Sequence, residues 1–327
     1  MKRRSVMLAR AAADFYWMGR YFERGEHTAR LLNYQLGRLV DTPADVLAHG
    51  WQVLYDALGY PSPVPLQDAD NAEAYIIANA FALAAYLIED TENPNAIIQS
   101  WTHARDNAKQ LRPWLPVRVW TCLNDGFFWL RDCDFAEHWT QGPERLPAGV
   151  IDRFRLLSGI IESMMSRNHA WRFLELGRYV ERLQLQTALL KAWSNPSNEN
   201  SQMWTGLLRA CAALEAYCRT YSMAIQPRHA LAFLTSNPEI PHSLSFAIQR
   251  VQHLLSDIDP AGSRYPRKAP HRYSMRLAAA IEANSHASAA PEDTQNFLSA
   301  FGEDCHKLHH LIFAEYIDYS LEQGLPS

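Results

Sequence analysis

The chain has 327 residues, 48% of them hydrophobic and 20% charged, with a net charge of −4. Those values fit a globular chain with one large or two ordinary cores, and they exclude a disordered chain. They also give no general basic character that would point to nucleic acid or an anionic membrane surface.

Helical periodicity recurs along the chain while strand-like alternation is nearly absent, so the class predicted is all-α. Met1-Lys2-Arg3-Arg4 looks like the start of a signal segment, but Arg10 and Asp14 interrupt the apolar run that should follow. Nowhere do eighteen apolar residues run together, so no membrane span is expected. Between the breakers, helices are predicted near residues 6–40, 45–58, 72–89, 95–112, 117–137 and 150–168, then 170–193, 202–224, 228–235, 242–257, 273–284 and 292–322. Trp114, Trp120, Trp129 and Trp139 fall in one quarter of the chain and read as core filling. The five cysteines are odd in number and form no Cys-x-x-Cys pair, which argues against a disulfide framework and a zinc knuckle. They read as buried small hydrophobes in a reducing compartment, so the expected location is cytoplasmic.

A repeat is the most informative feature. Gly19-Arg20-Tyr21-Phe22-Glu23-Arg24 returns as Gly177-Arg178-Tyr179-Val180-Glu181-Arg182, a constant offset of 158 residues. Tyr86-Leu87 leading to Pro94 is echoed by Phe233-Leu234 leading to Pro241, at an offset of 147. Two echoes in the same order imply a helical bundle of two duplicated, pseudo-symmetric halves, 1–145 and 146–327, intertwined in one core.

Tyr16, Arg20, Glu23, Arg24, His27 and Leu31 share one stripe of their helix at 100° per residue. Charges on an apolar stripe have to be paired, because an isolated buried ion costs several kcal/mol. The simplest pairing is crossed: Glu23 with Arg178 or Arg182, and Glu181 with Arg20 or Arg24. Gly19 and Gly177 would let the two helices approach closely at that crossing. Two readings stay open. The network is a lock that fixes how the halves dock, or it is a site. In favour of a site, four arginines against two glutamates leave an excess of two cations for a carboxylate or phosphate. In that case Glu23, Glu181 and His27 are the candidate catalytic groups, and Arg20, Arg24, Arg178, Arg182 and Arg167 the candidate anion-binding groups.

Weaker signals are Glu303-x-x-His306 with His309 and His310, and a basic stretch, Arg264, Arg267, Lys268, His271, Arg272 and Arg276, with Tyr265 and Tyr273. Inside the better-defined helices the first finds no second Glu-x-x-His, which a di-iron bundle needs, so no metal site is expected. The second reads as a solvated loop.

Met7-Leu8-Ala9-Arg10, followed by Tyr16-Trp17-Met18-Gly19-Arg20-Tyr21-Phe22-Glu23-Arg24-Gly25-Glu26-His27-Thr28-Ala29-Arg30-Leu31-Leu32, resembles the opening of the Alpha-E family. This is an uncharacterised bacterial helical family named for its Glu-Arg motif. Asn93-Pro94, Arg105-Asp106-Asn107-Ala108, Met165-Ser166-Arg167 and the second Glu-Arg copy extend the resemblance over nearly the whole chain. His27 departs from the family's Asn, Ala9 from its Ser and Gln186 from its Thr. The resemblance implies association with a circularly permuted ATP-grasp ligase. This chain would then be the helical companion subunit of a system that forms or modifies a peptide or amide bond. No cofactor is expected on this chain, which has no Gly-rich loop before Lys-Ser or Lys-Thr; ATP and Mg²⁺ would sit on the partner, and a peptide is a candidate substrate. The alternatives are a stand-alone enzyme acting on a carboxylate or phosphate, and an interaction scaffold without ligand.

Overall fold

The computed structural model describes residues 9–63, 72–195, 198, 201–260, 268–285 and 291–318. Among these the chain forms fourteen helices and no strand. They are α1 (Ala9–Leu36), α2 (Ala44–Leu58), α3 (Ala72–Ile88), α4 (Ile97–Gln110), α5 (Val117–Arg131), α6 (Phe135–Gln141) and α7 (Arg145–Met164). The remainder are α8 (His169–Trp193), α9 (Ser201–Ala210), α10 (Leu214–Thr220), α11 (Pro227–Ser236), α12 (Leu244–Ile258), α13 (Ala269–Ser285) and α14 (Pro291–Tyr316).

Two predicted helices are each split in two, for local reasons. The one expected over 117–137 breaks at Asp132, because the Asp134 side chain accepts from Glu137 N (3.0 Å) and starts α6 afresh. The one expected over 202–224 breaks at Ala212, which takes the left-handed conformation (φ 50°) usually left to glycine. No glycine or proline in the sequence announces that break. Side-chain caps also set the starts of α8, where Asn168 accepts from Trp171 N (3.3 Å), and α12, where Ser243 accepts from Phe246 N (3.0 Å). Pro147 sits in the first turn of α7, where its missing N–H costs nothing, so that helix starts earlier than expected.

α1 and α8 are the two central helices, and they cross. α1 packs on α4 and α7, which α5 bridges; α8 packs on α12 and α14, which α13 bridges. α2 reaches across to α8, and α9 to α1. Buried apolar residues from Ala12 to Ile317 form one continuous core, in which Phe15, Met18, Leu32, Leu174, Leu189 and Leu190 are fully enclosed. Trp120, Trp129 and Trp139 pack partly buried against it, whereas Trp114 is exposed. None of the five cysteines is paired. No helix among the described residues is long and apolar enough to cross a membrane.

Candidate functional site

The site grows from two glycines. A Cβ on Gly19 would lie 2.0 Å from Leu174 O, and one on Gly177 would lie 2.0 Å from Tyr16 O. The contact is reciprocal, since Leu174 and Tyr16 are themselves related by the 158-residue offset. With no side chain at either point the two backbones touch, and the residues one turn further along each helix are pressed together. Glycine in a helix interior costs about 1 kcal/mol against alanine; this close approach is its reason.

The pressed residues are the predicted ones, paired as the crossing demands. Arg182 grips Glu23 through Nε and Nη2, both 2.6 Å from the carboxylate oxygens, and Arg178 Nε stands 3.9 Å away. Glu181 accepts from Arg20 Nε (2.5 Å) and from Arg24 Nε (2.7 Å). The Glu23 and Glu181 side chains are 1% and 2% exposed, while those of Arg24 and Arg178 reach 20% and 14%. Burial pushes the Glu23 carboxyl up, but Arg182 and Arg178 outweigh it and hold it at about 2. Glu181 is likewise held below its ordinary range, burial being overcome by Arg20 and Arg24. Both carboxylates are therefore ionised and saturated with donors at neutral pH.

His27 is fully buried, and its Nε2 has no hydrogen-bond partner within the chain. Burial and the neighbouring Arg30 push it down to about 3, so it is neutral at physiological pH. Arg167 is not part of the crossing. It bonds Glu162 and lies over the Trp171 ring, 4.4 Å from its centroid, near the start of α8.

Other residues join the network from further away. Arg178 Nη1 donates to Glu175 (3.1 Å), one turn back on its own helix. Arg30 lies 4.0 Å from Glu26, and its Nη1 donates to Ala210 O. Arg182 Nη1 reaches Pro241 O (3.0 Å). Arg20 donates to Gln184 Oε1 (2.7 Å) and to His309 Nδ1 (3.0 Å), while Tyr16 OH donates to the same nitrogen (2.8 Å). With two donors aimed at it, Nδ1 is the acceptor and the His309 ring is neutral; burial and Arg20 hold its pKa down at about 4. The spacing of Glu175 to Arg178 and of Glu26 to Arg30 is a signal legible in the sequence. His309, from α14, carries no such signal.

Counting these groups changes the charge balance expected from the motif alone. Five arginines (20, 24, 30, 178, 182) meet four glutamates (23, 26, 175, 181), a surplus of one cation rather than two. The surplus is local. On the α8 side, Arg182 and Arg178 are matched by Glu23 and Glu175. On the α1 side, Arg20 and Arg24 share Glu181, and the neighbours are Gln184, His309 and the Trp17 ring, 4.9 Å from the Arg20 guanidinium.

The weaker signals resolve separately. His306 and His310 are exposed on α14, and among the described residues no cluster of three or more His, Cys, Asp or Glu could hold a metal ion. Arg264, Tyr265 and Arg267 lie outside the described residues. Of the rest of that basic stretch, Lys268 pairs with Asp259 and Glu315 (3.0 Å each) and Arg276 with Asp304 (3.6 Å).

An all-helical chain whose two central helices cross through paired Glu-Arg motifs is thereby defined. The chain belongs to the Alpha-E family, described as a predicted alpha-helical domain with a conserved ER motif, whose model matches residues 7–317. It is similar to uncharacterized proteins of Mycobacterium bovis and Mycobacterium tuberculosis, 26% identical over 300 residues that cover 84% of this chain. It spans about a third (32%) of the length of these curated relatives. No solved structure matches it.

Proposed function

We propose that this chain is the helical companion subunit of an ATP-grasp ligase system that forms or modifies a peptide or amide bond in the cytoplasm. ATP and Mg²⁺ would be held by the ligase, and the Arg20/Arg24 side of the crossing is where this chain docks its partner or an anionic group. Family membership supports the choice of partner. The observation that carries the role is the uneven charge. Two arginines share one carboxylate at Glu181, and Arg24 keeps a partly exposed guanidinium beside Tyr21, 5.5 Å from its ring centroid. A carboxylate or acyl phosphate brought to that edge would complete the pairing that Glu175 provides on the other side. The mycobacterial relatives are about three times longer than the matched segment, which supports a unit that works joined to something else.

In this reading Glu23 and Glu181 position the arginines and are not general bases; a base has to release its charge near neutrality, and both carboxylates are held low. The stand-alone enzyme is the less supported alternative for the same reason. A scaffold without ligand is the second reading, favoured by the near-complete burial of both carboxylates.

We also infer that the two halves are duplicates. α4 and α12 start 147 residues apart, and α7 and α14 start 146 apart, close to the offset of the second echo. The neighbours of α1 also correspond in chain order to the neighbours of α8.

The test is co-expression with a circularly permuted ATP-grasp ligase from the same organism. Retention of the ligase by the tagged intact chain, weakened by Arg24→Gln with little change in melting temperature, is the expected result. A chain that neither retains the ligase nor alters its turnover would sink the proposal.

A further inference from the structure

Tyr34 lies about 15 Å along α1 from Arg24 at 1.5 Å per residue. Around it a cavity of about 280 Å³ opens between the end of α1, α7 and the end of α9. Its lining includes Arg30, Arg38, Arg155 and Arg209, with Asn33 and Tyr34, and not one acidic residue. Three segments that are distant in sequence bring four guanidinium groups to one concavity.

Some of that charge has a structural explanation. Arg209 lies in the last turn of α9, where a cation is favoured by the helix dipole. Arg155 stands 3.8 Å from Asp152 on an exposed face, a pairing worth little. Arg38 rests over the Tyr34 ring, 5.3 Å from its centroid. Arg30 is different. Its side chain is 4% exposed, its nearest carboxylate is 4.0 Å away, and Nε and Nη2 have no hydrogen-bond partner within the chain. Leaving buried donors unmatched while three more arginines crowd the mouth is costly unless an anion completes the set.

The backbone and packing around the cavity are built rather than incidental. Ala212, which lines it, is the one non-glycine residue with positive φ among those described, and such conformations gather at functional sites. Tyr34 is seated against the bare backbone of Gly206, where a Cβ would fall 1.8 Å from its ring.

We propose that this cavity is a second ligand site, adjoining the network of the crossing through Arg30, that takes a compact polyanion of the phosphate class, of diphosphate size. Asp152 and Glu26 offset at most two of the four positive charges, so at least two remain. A single carboxylate cannot neutralise them, whereas a diphosphate can. Its oxygens would be met by the planar forks of Arg38, Arg155 and Arg209 and, from below, by the unmatched donors of Arg30.

The experiment is calorimetric titration of the intact chain with sodium pyrophosphate at low ionic strength, with inorganic phosphate and citrate as comparison ligands. The expected result is saturable 1:1 binding of pyrophosphate, weaker for phosphate. Binding should fall at least about tenfold in Arg38→Gln/Arg209→Gln and in the singly exchanged Arg155→Gln, because hydrogen bonds to charged groups are the strong ones. Circular dichroism would show these surface variants folded. Arg131→Gln, an exposed arginine outside both sites, should bind pyrophosphate unchanged. Absence of saturable binding overturns the proposal, and so does binding that survives in the double variant but disappears in Arg24→Gln. Citrate binding as tightly as pyrophosphate would overturn the phosphate assignment.

Discussion

Glu181 and Glu23 stand at equivalent positions of the two Gly-Arg-Tyr-x-Glu-Arg segments, yet they are held differently. Glu23 takes both arms of one guanidinium, from Arg182, while Arg178 turns aside to Glu175. Glu181 is shared by Arg20 and Arg24, one Nε each. The offset of 158 explains why. Glu175 on α8 corresponds to Trp17 on α1, so Arg178 finds a carboxylate where Arg20 finds an aromatic face. Glu26 corresponds to Gln184, so the neighbouring acid on one side is a neutral amide on the other. A motif repeated nearly letter for letter therefore gives one neutralised half and one cationic half. The lesson is that residues just outside the motif decide where the charge is left over.

The harshest way to break the comparison is to separate the helices. Gly19→Val and Gly177→Val each drive a side chain into a backbone carbonyl 2.0 Å away. Both should prevent native folding or cost more than about 4 kcal/mol, the range reserved for severe core disruption. Urea unfolding with circular dichroism reads this, and a mild effect of either would deny the close approach.

Next come the carboxylates. Breaking a buried ion pair typically costs about 3–5 kcal/mol. Glu181→Gln strips two arginines of their acid, whereas Glu23→Gln leaves Arg178 its Glu175. Glu181→Gln should therefore be the more destabilising of the two, by the same unfolding measurement. A reversed order would mean that the two halves are not unbalanced as described.

Acid should act first through the histidines held below their ordinary value, His27 and His309 among them. The folded pKa of His27, about 3, lies below the 6.5 of an ordinary histidine, so between those values the unfolded chain binds the extra proton. Stability is then full above pH 6.5 and falls as pH drops towards 3. His242, also pushed down by burial and by Arg30, adds to the slope with the same sign. Glu23 joins below pH 4.5, its contribution lost as pH falls through about 2. Unfolding free energies of His27→Gln across pH 7 to 4.5 should show a flatter dependence than the unaltered chain; an unchanged slope would remove His27 from the account.

Much of this was legible in the sequence, for physical reasons. Charges on an apolar stripe must pair, and a glycine beside each stripe tells where helices meet, so the crossed pairing followed from Gly19, Gly177 and the two Glu-Arg steps. The rest depends on placement that periodicity does not encode. His309 reaches Arg20 across 289 residues of chain. Arg167 is near the second motif in sequence yet turns to Glu162 and Trp171. Ala212 ends α9 without the glycine that would have announced it. The arginine-lined cavity has no local signal at all, since Arg38, Arg155 and Arg209 come from three separate segments.

The central claim is that the unmatched charge lies around Arg20 and Arg24, and Gln184→Glu tests it most directly. The change is isosteric, and its one cost is that the 3.4 Å donor contact from Nε2 to Cys305 O becomes a contact between two acceptors. It places a carboxylate where Arg20 already donates to Oε1 at 2.7 Å. The account predicts a higher urea midpoint at unchanged slope, a gain of about 1–2 kcal/mol for a hydrogen bond made charged at both ends. A lower midpoint would contradict it, because a site already balanced would resist one more buried negative charge.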